Sequence, residues 1–320
     1  MVSVTQYTPD LKDAWNNFVS KCCNASFMHQ RDFMEYHSDR FEDYSLLVYN
    51  HGDLIACIPA HKKGREFCSH GGLTYGGLLM ESYDSKRFRE VLDATISYLD
   101  TNQINQIEIN LPPLSYDISI VEMEVQLENS GFELSRSLCS MGMNLQDEIL
   151  ISGKKSAGYR NGTFNTLSYA QSEDLASYWH SVLIPSLQAR HDSTPVHSLD
   201  EITLLKSRFP KNIILKTVRF EEEVVAGSLF FLDREVVKNQ YAASTPTGFQ
   251  LRAMDYLNQE SFKDFKNKGF KFFDFGTTHL PDGSINTGLK RYKSELGAKE
   301  SQMNRWVLKL RVDNHAFAKA

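Results

Sequence analysis

The residue best suited to chemistry is a lysine in a helix predicted over Ser284–Leu296. Apolar residues recur there at helical spacing and form one stripe: Ile285, Leu289, Tyr292 and Leu296. At ~100° per residue, Lys293 lies about 70° from the centre of that stripe, whereas Lys290 and Arg291 lie about 130° away. Of these three cations, only Lys293 can rest its stem on apolar surface and extend its ammonium into a cleft. Such an ammonium could stabilise a phosphate or an oxyanion, and the alternative is a surface lysine.

An aspartate lies inside an aromatic strand just before this helix. Asp274 stands between Phe273 and Phe275, in a strand predicted over Phe270–Phe275. An acid at such a position either points outward or is buried with a partner. A buried carboxyl group has a raised pKa, which suits a general base. The alternative is a structural role, in which the carboxylate accepts hydrogen bonds from the turn at residues 276–278.

Two glycine-containing segments could bring the backbone close to a ligand. Thr247 and Gly248 stand where a long helix is predicted to begin, which is the best place for a donor pyrophosphate. Tyr75 and Gly76 precede a second glycine, and a glycine pair permits either close approach to a ligand or an ordinary turn. The sequence contains no nucleophile-elbow serine motif, no zinc-protease motif and no Walker loop.

The elements that position these residues occur twice. Asp53-Leu-Ile-Ala aligns with Glu223-Val-Val-Ala, and each forms the second strand of a predicted hairpin. Each hairpin is followed by a helix, a strand, a second helix and a closing strand. The predicted hairpins are Leu46–Ile58 and Leu215–Leu229, the long helices Ser85–Leu99 and Phe249–Lys268, the strands Ile107–Asn110 and Phe270–Phe275, the second helices Ile118–Asn129 and Ser284–Leu296, and the closing strands Phe132–Leu145 and Gln302–Leu310. Helical segments precede the hairpins at Leu11–Lys21, Arg31–Asp39, Asp174–Arg190 and Ser198–Ser207.

A repeat of this length predicts duplicated domains rather than a solenoid. We therefore expect an α/β (α+β) fold with mixed sheets covered on both faces, in two domains of residues 1–147 and 148–320. The alternative is a chance similarity between two ordinary αβ halves.

The composition is that of an ordinary globular protein of two-domain size. The chain has 320 residues, 41% hydrophobic and 23% charged, with a net charge of −5 and a pI near 6.1. The lack of a global basic field argues against binding to duplex DNA. Five cysteines in no zinc-like spacing predict no metal site and suggest free thiols. Without a signal-peptide pattern or an apolar run of ~18 residues, we expect a cytoplasmic protein with no transmembrane segment.

The order hairpin, helix, strand, helix, strand resembles the GNAT acyltransferase fold. Two such copies in one chain resemble the Fem-type aminoacyl-transferases and the BioF-like acetyltransferase-domain proteins. The segments that carry the resemblance are Thr74-Tyr-Gly-Gly-Leu-Leu79, Glu223-Val-Val-Ala-Gly-Ser-Leu229, Lys268-Gly-Phe-Lys-Phe-Phe-Asp-Phe-Gly276 and Gly288-Leu-Lys-Arg-Tyr-Lys-Ser-Glu-Leu-Gly-Ala298. The stretch from Phe270 to Ala298 is the most specific of them.

The resemblance implies an N-acyltransferase with two tandem GNAT-like domains, the second carrying the active site. The donor would be an acyl-CoA or an aminoacyl-tRNA, with no tightly bound cofactor, and tRNA would then be a partner. The acceptor would be an amine of a sugar or peptide, such as a peptidoglycan precursor in cell-envelope biosynthesis. Acyl transfer needs an aligned amine, removal of its proton and stabilisation of the tetrahedral oxygen.

The family motif also selects Lys293, which we assign as catalytic together with Asp274. The comparable family segment carries a substrate-contacting arginine, which makes Arg190 a candidate phosphate or carboxylate clamp, beside His191 as a candidate proton carrier. These two residues end a predicted helix, where a cation has the alternative role of balancing the helix dipole. The remaining substrate contacts are assigned to Tyr75, Gly76, Tyr292 and Asn286, and donor binding to Thr247 and Gly248.

The sequence departs from the family at the donor loop. The GNAT loop that binds CoA carries two glycines, whereas the corresponding segment, Ala243–Arg252, contains only Gly248. No long heptad segment is present that could form the coiled-coil arm often found in Fem-type enzymes. The alternative function is therefore a non-catalytic ligand- or partner-binding protein that retains the fold.

Overall fold

The computed structural model describes residues 2–191, 193–280 and 282–310, and for Arg190 and His191 it describes the backbone alone. The chain forms two compact units, Met1–Leu138 with Gln302–Ala320, and Cys139–Ser301. No described helix combines the length and apolar character needed to cross a membrane.

The earlier part of the chain contains the first copy of the predicted element order. Its strands and helices are β1 (Val2–Gln6), α1 (Lys12–Lys21), α2 (Arg31–Met34), β2 (Glu42–Asp43), β3 (Leu46–Asn50), β4 (Asp53–Ile58), β5 (Ala60–Lys63), β6 (Glu66–Ser69), α3 (Ser85–Thr101), β7 (Gln106–Asn110), α4 (Ser119–Asn129) and β8 (Glu133–Asn144). The predicted His-Gly-Asp turn is confirmed between β3 and β4. His51 and Gly52 there have φ of 51° and 95°, the two positive values of a tight hairpin turn.

The later part of the chain repeats the order. Its strands and helices are α5 (Ala157–Arg160), β9 (Leu167–Ser172), α6 (Leu175–Tyr178), α7 (Ile184–His191), α8 (Leu199–Arg208), β10 (Ile213–Phe220), β11 (Glu223–Asp233), β12 (Val236–Ser244), α9 (Pro246–Gln250), α10 (Ala253–Asn267), β13 (Phe272–Thr277), α11 (Thr287–Glu295) and β14 (Lys299–Lys309). A π-helical turn over Trp179–Leu183 joins α6 to α7. The predicted mixed α/β architecture is confirmed.

The two copies exchange their closing strands. In the first unit, β14 pairs antiparallel with β7, from Arg305 opposite Asn110 to Lys309 opposite Gln106. In the second unit, β8 pairs antiparallel with β13, where Asn144 lies opposite Phe272. The unit boundaries therefore fall inside β8 and β14, whereas the sequence led us to expect domains of 1–147 and 148–320. The difference arises because backbone hydrogen bonding, not sequence order, decides which strand completes a sheet.

Strand order within each unit follows from these pairings. The first unit has a small sheet, β1-β3-β4, and a second order β2-β5-β6-β7-β14. The second unit has the order β8-β13-β12-β11-β10-β9. Among the described strands, each unit has one parallel pair of neighbouring strands, β6 with β7 and β12 with β13. Helices connect the two strands of each pair, α3 in the first unit and α9 with α10 in the second.

An aromatic cluster in the second unit fixes the face that β13 turns toward α10. The Phe262 ring lies 4.9 Å from that of Phe273 and 5.8 Å from that of Phe275. Burying each such ring stabilises the fold by roughly 1.5–3 kcal/mol. Because side chains alternate along a strand, packing these two rings under α10 turns Asp274 to the opposite face of the sheet.

The sequence missed several strands and one helix break. No strand was predicted between each hairpin and the long helix that follows it, where the structure has β6 and β12. The strands β1, β2, β5 and β9 were not predicted either. The helix predicted over Phe249–Lys268 is two helices, because Arg252 adopts a left-handed φ of 58°. The predicted helix Ser284–Leu296 begins later, at Thr287.

Three packed histidines in the first unit make its stability depend on pH. The ring centroid of His70 lies 5.1 Å from that of His37 and 5.6 Å from that of His61. Burial, reinforced by these two neighbours, lowers the pKa of His70 from 6.5 to about 2. Below about pH 6.5, His70 therefore binds a proton in the unfolded chain but not in the folded chain. The free energy of unfolding falls as the pH drops.

We expect a His70→Gln variant to lose part of this pH dependence. Between about pH 6 and pH 4, the free energy of unfolding should fall more shallowly than in the wild type, by up to about 1.4 kcal/mol per pH unit. Urea denaturation across this range measures the slope, with exposed His180→Gln as the control. Equal slopes for the wild type and His70→Gln would contradict the assignment.

Candidate active site

Two parallel strands of the second unit stop pairing before their carboxyl ends, and we call the place where they part the opening between β12 and β13. β12 and β13 pair at three positions, Val236 with Phe272, Val237 with Phe273 and Lys238 with Asp274, and no later pair is found in the described residues. Beyond Lys238, β12 continues beside β11 to Ser244, with a register shift that leaves Gln240 as a bulged residue. The carboxyl ends of diverging parallel strands are a common place for ligands in α/β sheets.

Asp274 lies at the point where the two strands separate. Its carboxylate is 2% exposed. Oδ2 accepts from Lys238 Nζ at 3.2 Å, and Oδ1 accepts from the Gly276 N–H at 2.7 Å and from Ser140 Oγ at 3.4 Å. The bond from Gly276 is of the kind expected for a structural role. These donors occupy much of the accepting capacity of the carboxylate.

Lys293 reaches inward from α11 to the end of β13. The side chain is buried, and Nζ donates to the carbonyl oxygens of Gly276 and Thr277, both at 2.9 Å. Lys290 and Arg291 stay on the outer surface, where they pair with Glu300 and Glu295. The helical spacing of the apolar residues therefore correctly predicted that Lys293 points inward while Lys290 and Arg291 point outward.

Burial lowers the pKa of Lys293 from 10.5 to about 8, against the opposing effect of the nearby Asp274 carboxylate. Desolvation disfavours the charged form of an amine, while a carboxylate and carbonyl acceptors favour it. The ammonium is still the main form at neutral pH. The second unit thus holds a positive charge at the end of β13, beside the opening.

The orientation of α11 is fixed by a charged network around Tyr292. Lys155 Nζ lies 3.9 Å from the centre of the Tyr292 ring and 3.2 Å from Asp255 Oδ1. The Tyr292 hydroxyl accepts from Asn258 Nδ2 at 3.2 Å, and burial together with Asp255 raises its pKa. Because Tyr292 and Lys293 are adjacent, anchoring the ring sets the direction of the lysine. Substrate contact by Tyr292 remains a prediction.

The turn predicted for a donor pyrophosphate has few free N–H groups. Thr245 caps α9, and its hydroxyl accepts the Gly248 N–H at 3.1 Å. Pro246 has no N–H, and the Phe249 N–H is bonded to the Thr245 carbonyl at 2.8 Å. A phosphate cradle requires several convergent N–H groups. In the first turn of α9, only the N–H of Thr247 is left for that purpose.

Gly248 is required by packing against the backbone. A Cβ at this position would lie 2.0 Å from the Val225 carbonyl oxygen. We expect Gly248→Ala to lower the free energy of unfolding by about 1–3 kcal/mol or more. Gly288→Ala is the control, since its Cβ would meet nothing closer than 3.5 Å, and we expect a gain of up to about 0.5–1 kcal/mol in that helix. Urea denaturation measures the free energy of unfolding of both variants. Equal changes in the two variants would contradict the packing argument.

The other predicted site residues are distributed over both units. Asn286 caps α11, and its Oδ1 accepts from the Leu289 N–H at 2.9 Å. Tyr75 and Gly76 belong to the first unit, where the Tyr75 carbonyl oxygen accepts from His29 Nε2 at 3.1 Å and the Gly76 N–H donates to the Asn110 carbonyl oxygen at 2.9 Å. The side chains of Arg190 and His191 lie outside the described residues, so their proposed roles stay predictions.

Three residues of this site were not predicted from the sequence. Lys238 and the bulged Gln240 lie on β12, a strand that was not predicted, and Ser140 comes from β8, the strand exchanged into the second unit. The two adjacent β-branched residues Val236 and Val237 are a local signal that could have indicated β12.

Comparisons with known proteins agree with this architecture. Residues 155–294 match the model of a family described as "Acetyltransferase (GNAT) domain". A comparison with curated protein sequences gives no match. Among solved structures, FemX aligns with a TM-score of 0.70 at 12% identity, covering 96% of this chain and 97% of FemX.

Two further solved structures share the fold. L-PGS from Bacillus licheniformis aligns with a TM-score of 0.59 at 14% identity, covering 93% of this chain and 91% of that one. A tandem GNAT protein from the clavulanic acid biosynthesis pathway aligns with a TM-score of 0.53 at 8% identity, covering 98% of this chain and all of that protein. At these identities, the likeness establishes the fold. The chain therefore has the tandem GNAT fold of these structures, and its residues 155–294 match the model of the GNAT acetyltransferase domain family.

Proposed function

We propose that the protein is an N-acyltransferase that holds the acyl group of its donor in the opening between β12 and β13. The observation that carries the proposal is the separation of these strands after Lys238 and Asp274, beside the buried ammonium of Lys293. Acyl transfer needs an extended slot for the acyl group and positive charge near the carbonyl oxygen. The end of pairing between β12 and β13 supports the first requirement, and the ammonium of Lys293 supports the second.

Each residue has a defined part in this proposal. The bulge at Gln240 leaves backbone groups of β12 without a partner strand, which suits an N–H directed at the acyl carbonyl. Lys293 holds the end of β13 and supplies the positive charge that stabilises the tetrahedral oxygen. Asp274 acts as a positioning residue for Lys238 and for the turn at Gly276, in preference to the role of general base.

The donor we favour is an aminoacyl-tRNA. The capped first turn of α9 supports this choice, because it lacks the N–H groups that would hold the pyrophosphate of an acyl-CoA. The proposed acceptor is an amine of a sugar or peptide, such as a peptidoglycan precursor, and the similarity to FemX motivates a role in envelope biosynthesis.

The proposal is tested by supplying labelled donors of both kinds with amine acceptors. Transfer from aminoacyl-tRNA, with acetyl-CoA at least about tenfold less effective, is the expected result. Transfer from acyl-CoA alone would refute the choice of donor and leave the reaction class intact. If neither donor reacts or binds, the protein is the non-catalytic binding protein considered as the alternative.

The pH profile should reveal the ammonium of Lys293. If the protonated lysine is the active form, kcat/KM should fall as the pH rises through the lowered pKa of Lys293, about 8. In a Lys293→Arg variant that retains measurable activity, this falling limb should move up by more than about one pH unit, since arginine stays protonated. If the fall of kcat/KM at high pH is unchanged in Lys293→Arg, another titrating group causes it.

A further inference from the structure

The first unit contains a counterpart of the opening in the second. β6 and β7 are parallel and also pair at three positions, the last being Cys68 with Glu108. The last pair of β12 and β13 is Lys238 with Asp274, so Glu108 holds the position of Asp274. β7 then continues to Asn110 while β6 ends at Ser69. Each unit therefore contains a parallel pair of strands that stops after three positions, with different side chains at the last pair. In the first unit the Ser69 hydroxyl accepts the Asn110 N–H at 2.8 Å just beyond that pair.

A pocket of about 180 Å³ lies beside the end of this parallel pair and is formed by the first unit alone. We call it the β6–β7 pocket. Its lining residues are Gly71, Leu73, Thr74, Glu108, Asn110, Arg136, Leu138, Met303, Asn304 and Arg305. Ile107, Ile109 and Trp306 pack in the core with α3 and α4, so the alternating residues Glu108, Asn110 and Arg305 point to the opposite face. The pocket thus lies on the sheet face away from those helices.

The pocket carries more positive than negative charge. Arg305 Nη1 lies 3.4 Å from Glu108 Oε2, and its Nε donates to Asn110 Oδ1 at 2.8 Å. Arg136 is exposed, and no ion-pair or hydrogen-bond partner for its guanidinium is found in the described part of the chain. One guanidinium is therefore uncompensated, and a guanidinium presents a planar fork that matches an oxyanion.

The rest of the lining favours a small carboxylate over a phosphate. The Glu108 carboxylate shares the pocket, and it repels a phosphate of charge near −1.5 to −2 more strongly than a singly charged carboxylate. Leu73, Leu138 and Met303 provide apolar contact for a short side chain. The volume is below the roughly 300 Å³ typical of drug-sized ligands, so only a small molecule or the end of a larger one fits.

We propose that the β6–β7 pocket binds a small carboxylate with a short apolar body, with Arg136 as the residue that holds the carboxylate. The ligand class includes short N-acylated amino acids and the carboxyl-terminal residue of a peptide. This site belongs to the first unit, and the proposal does not rest on the acyl-transfer reaction assigned to the second.

Isothermal titration of the full chain with N-acetylalanine tests the proposal. Its carboxamide, N-acetylalaninamide, is the matched neutral ligand and should bind at least about tenfold more weakly. Affinity for N-acetylalanine should fall about tenfold in Arg136→Gln and stay unchanged in Arg87→Gln, an exposed arginine of α3 outside the pocket. It should also fall from about 0.01 M to about 1 M salt, where the screening length shrinks from about 30 Å to about 3 Å.

Three results would overturn the assignment. They are no binding of N-acetylalanine at millimolar concentration, equal binding of its carboxamide, and unchanged affinity in Arg136→Gln. Tighter binding of inorganic phosphate than of N-acetylalanine would also overturn the assignment, because the ligand class would then be a phosphate and not a carboxylate. Binding should persist in Lys293→Met, which alters the second unit, so a failure of the acyl-transfer proposal would leave this result unaffected.

Discussion

Replacing Lys293 with methionine should lower kcat/KM for acyl transfer by about 10²–10³, the usual effect of removing one oxyanion-stabilising group. Methionine keeps most of the apolar stem but removes the ammonium that donates to the carbonyls of Gly276 and Thr277. Two effects then act together, because the positive charge is lost and the end of β13 loses its anchor. Steady-state kinetics with the reacting donor measure the change.

A matched substitution on the same helix separates charge from fold. Lys290→Met removes a lysine whose only role in the described residues is a surface ion pair with Glu300 at 2.8 Å, and kcat/KM should change less than about twofold. Circular dichroism and thermal unfolding check that Lys293→Met remains folded. Wild-type kcat/KM in a folded Lys293→Met variant would remove this lysine from the mechanism.

Asp274→Asn should lower the free energy of unfolding by about 3–5 kcal/mol, the effect of leaving one member of a buried ion pair without its partner. Lys238 is 13% exposed and Asp274 is 2% exposed, so neither charge is well solvated. Asparagine keeps the size of the side chain but loses the charge that balances Lys238. It also has one oxygen that can accept hydrogen bonds, such as the one from the Gly276 N–H, where the carboxylate has two. Urea denaturation measures the loss.

A double-mutant cycle identifies the cause of that loss. The combined variant Lys238→Met with Asp274→Asn should be more stable than Asp274→Asn alone, because the uncompensated ammonium is gone. Ser140→Ala removes only a 3.4 Å hydrogen bond to the same carboxylate and should lower stability by about 1 kcal/mol. Strict additivity in the cycle would mean that the ion pair has no energetic role.

The positions around α11 illustrate how far helical periodicity reaches. The spacing of Tyr292 and Leu296 correctly places Lys293 inward and Lys290 outward, because a helix fixes the angle between successive residues. The same stripe also predicted a start at Ser284, but Ile285 and Leu289 are partly exposed and the helix begins at Thr287. Periodicity gives the direction of a side chain, while the cap formed by Asn286 decides where the helix starts.

The sequence by itself determined the duplicated element order, the aromatic strand around Asp274, and the inward direction of Lys293. Each of these follows from the local periodicity of strands and helices. Tertiary structure decided the partners. The pairing of β12 with β13 brings Lys238 to Asp274, and the exchange of β8 brings Ser140 to the same carboxylate. Those contacts join residues 36 and 134 positions apart, and only the hydrogen-bonding edges of folded sheets specify such pairs.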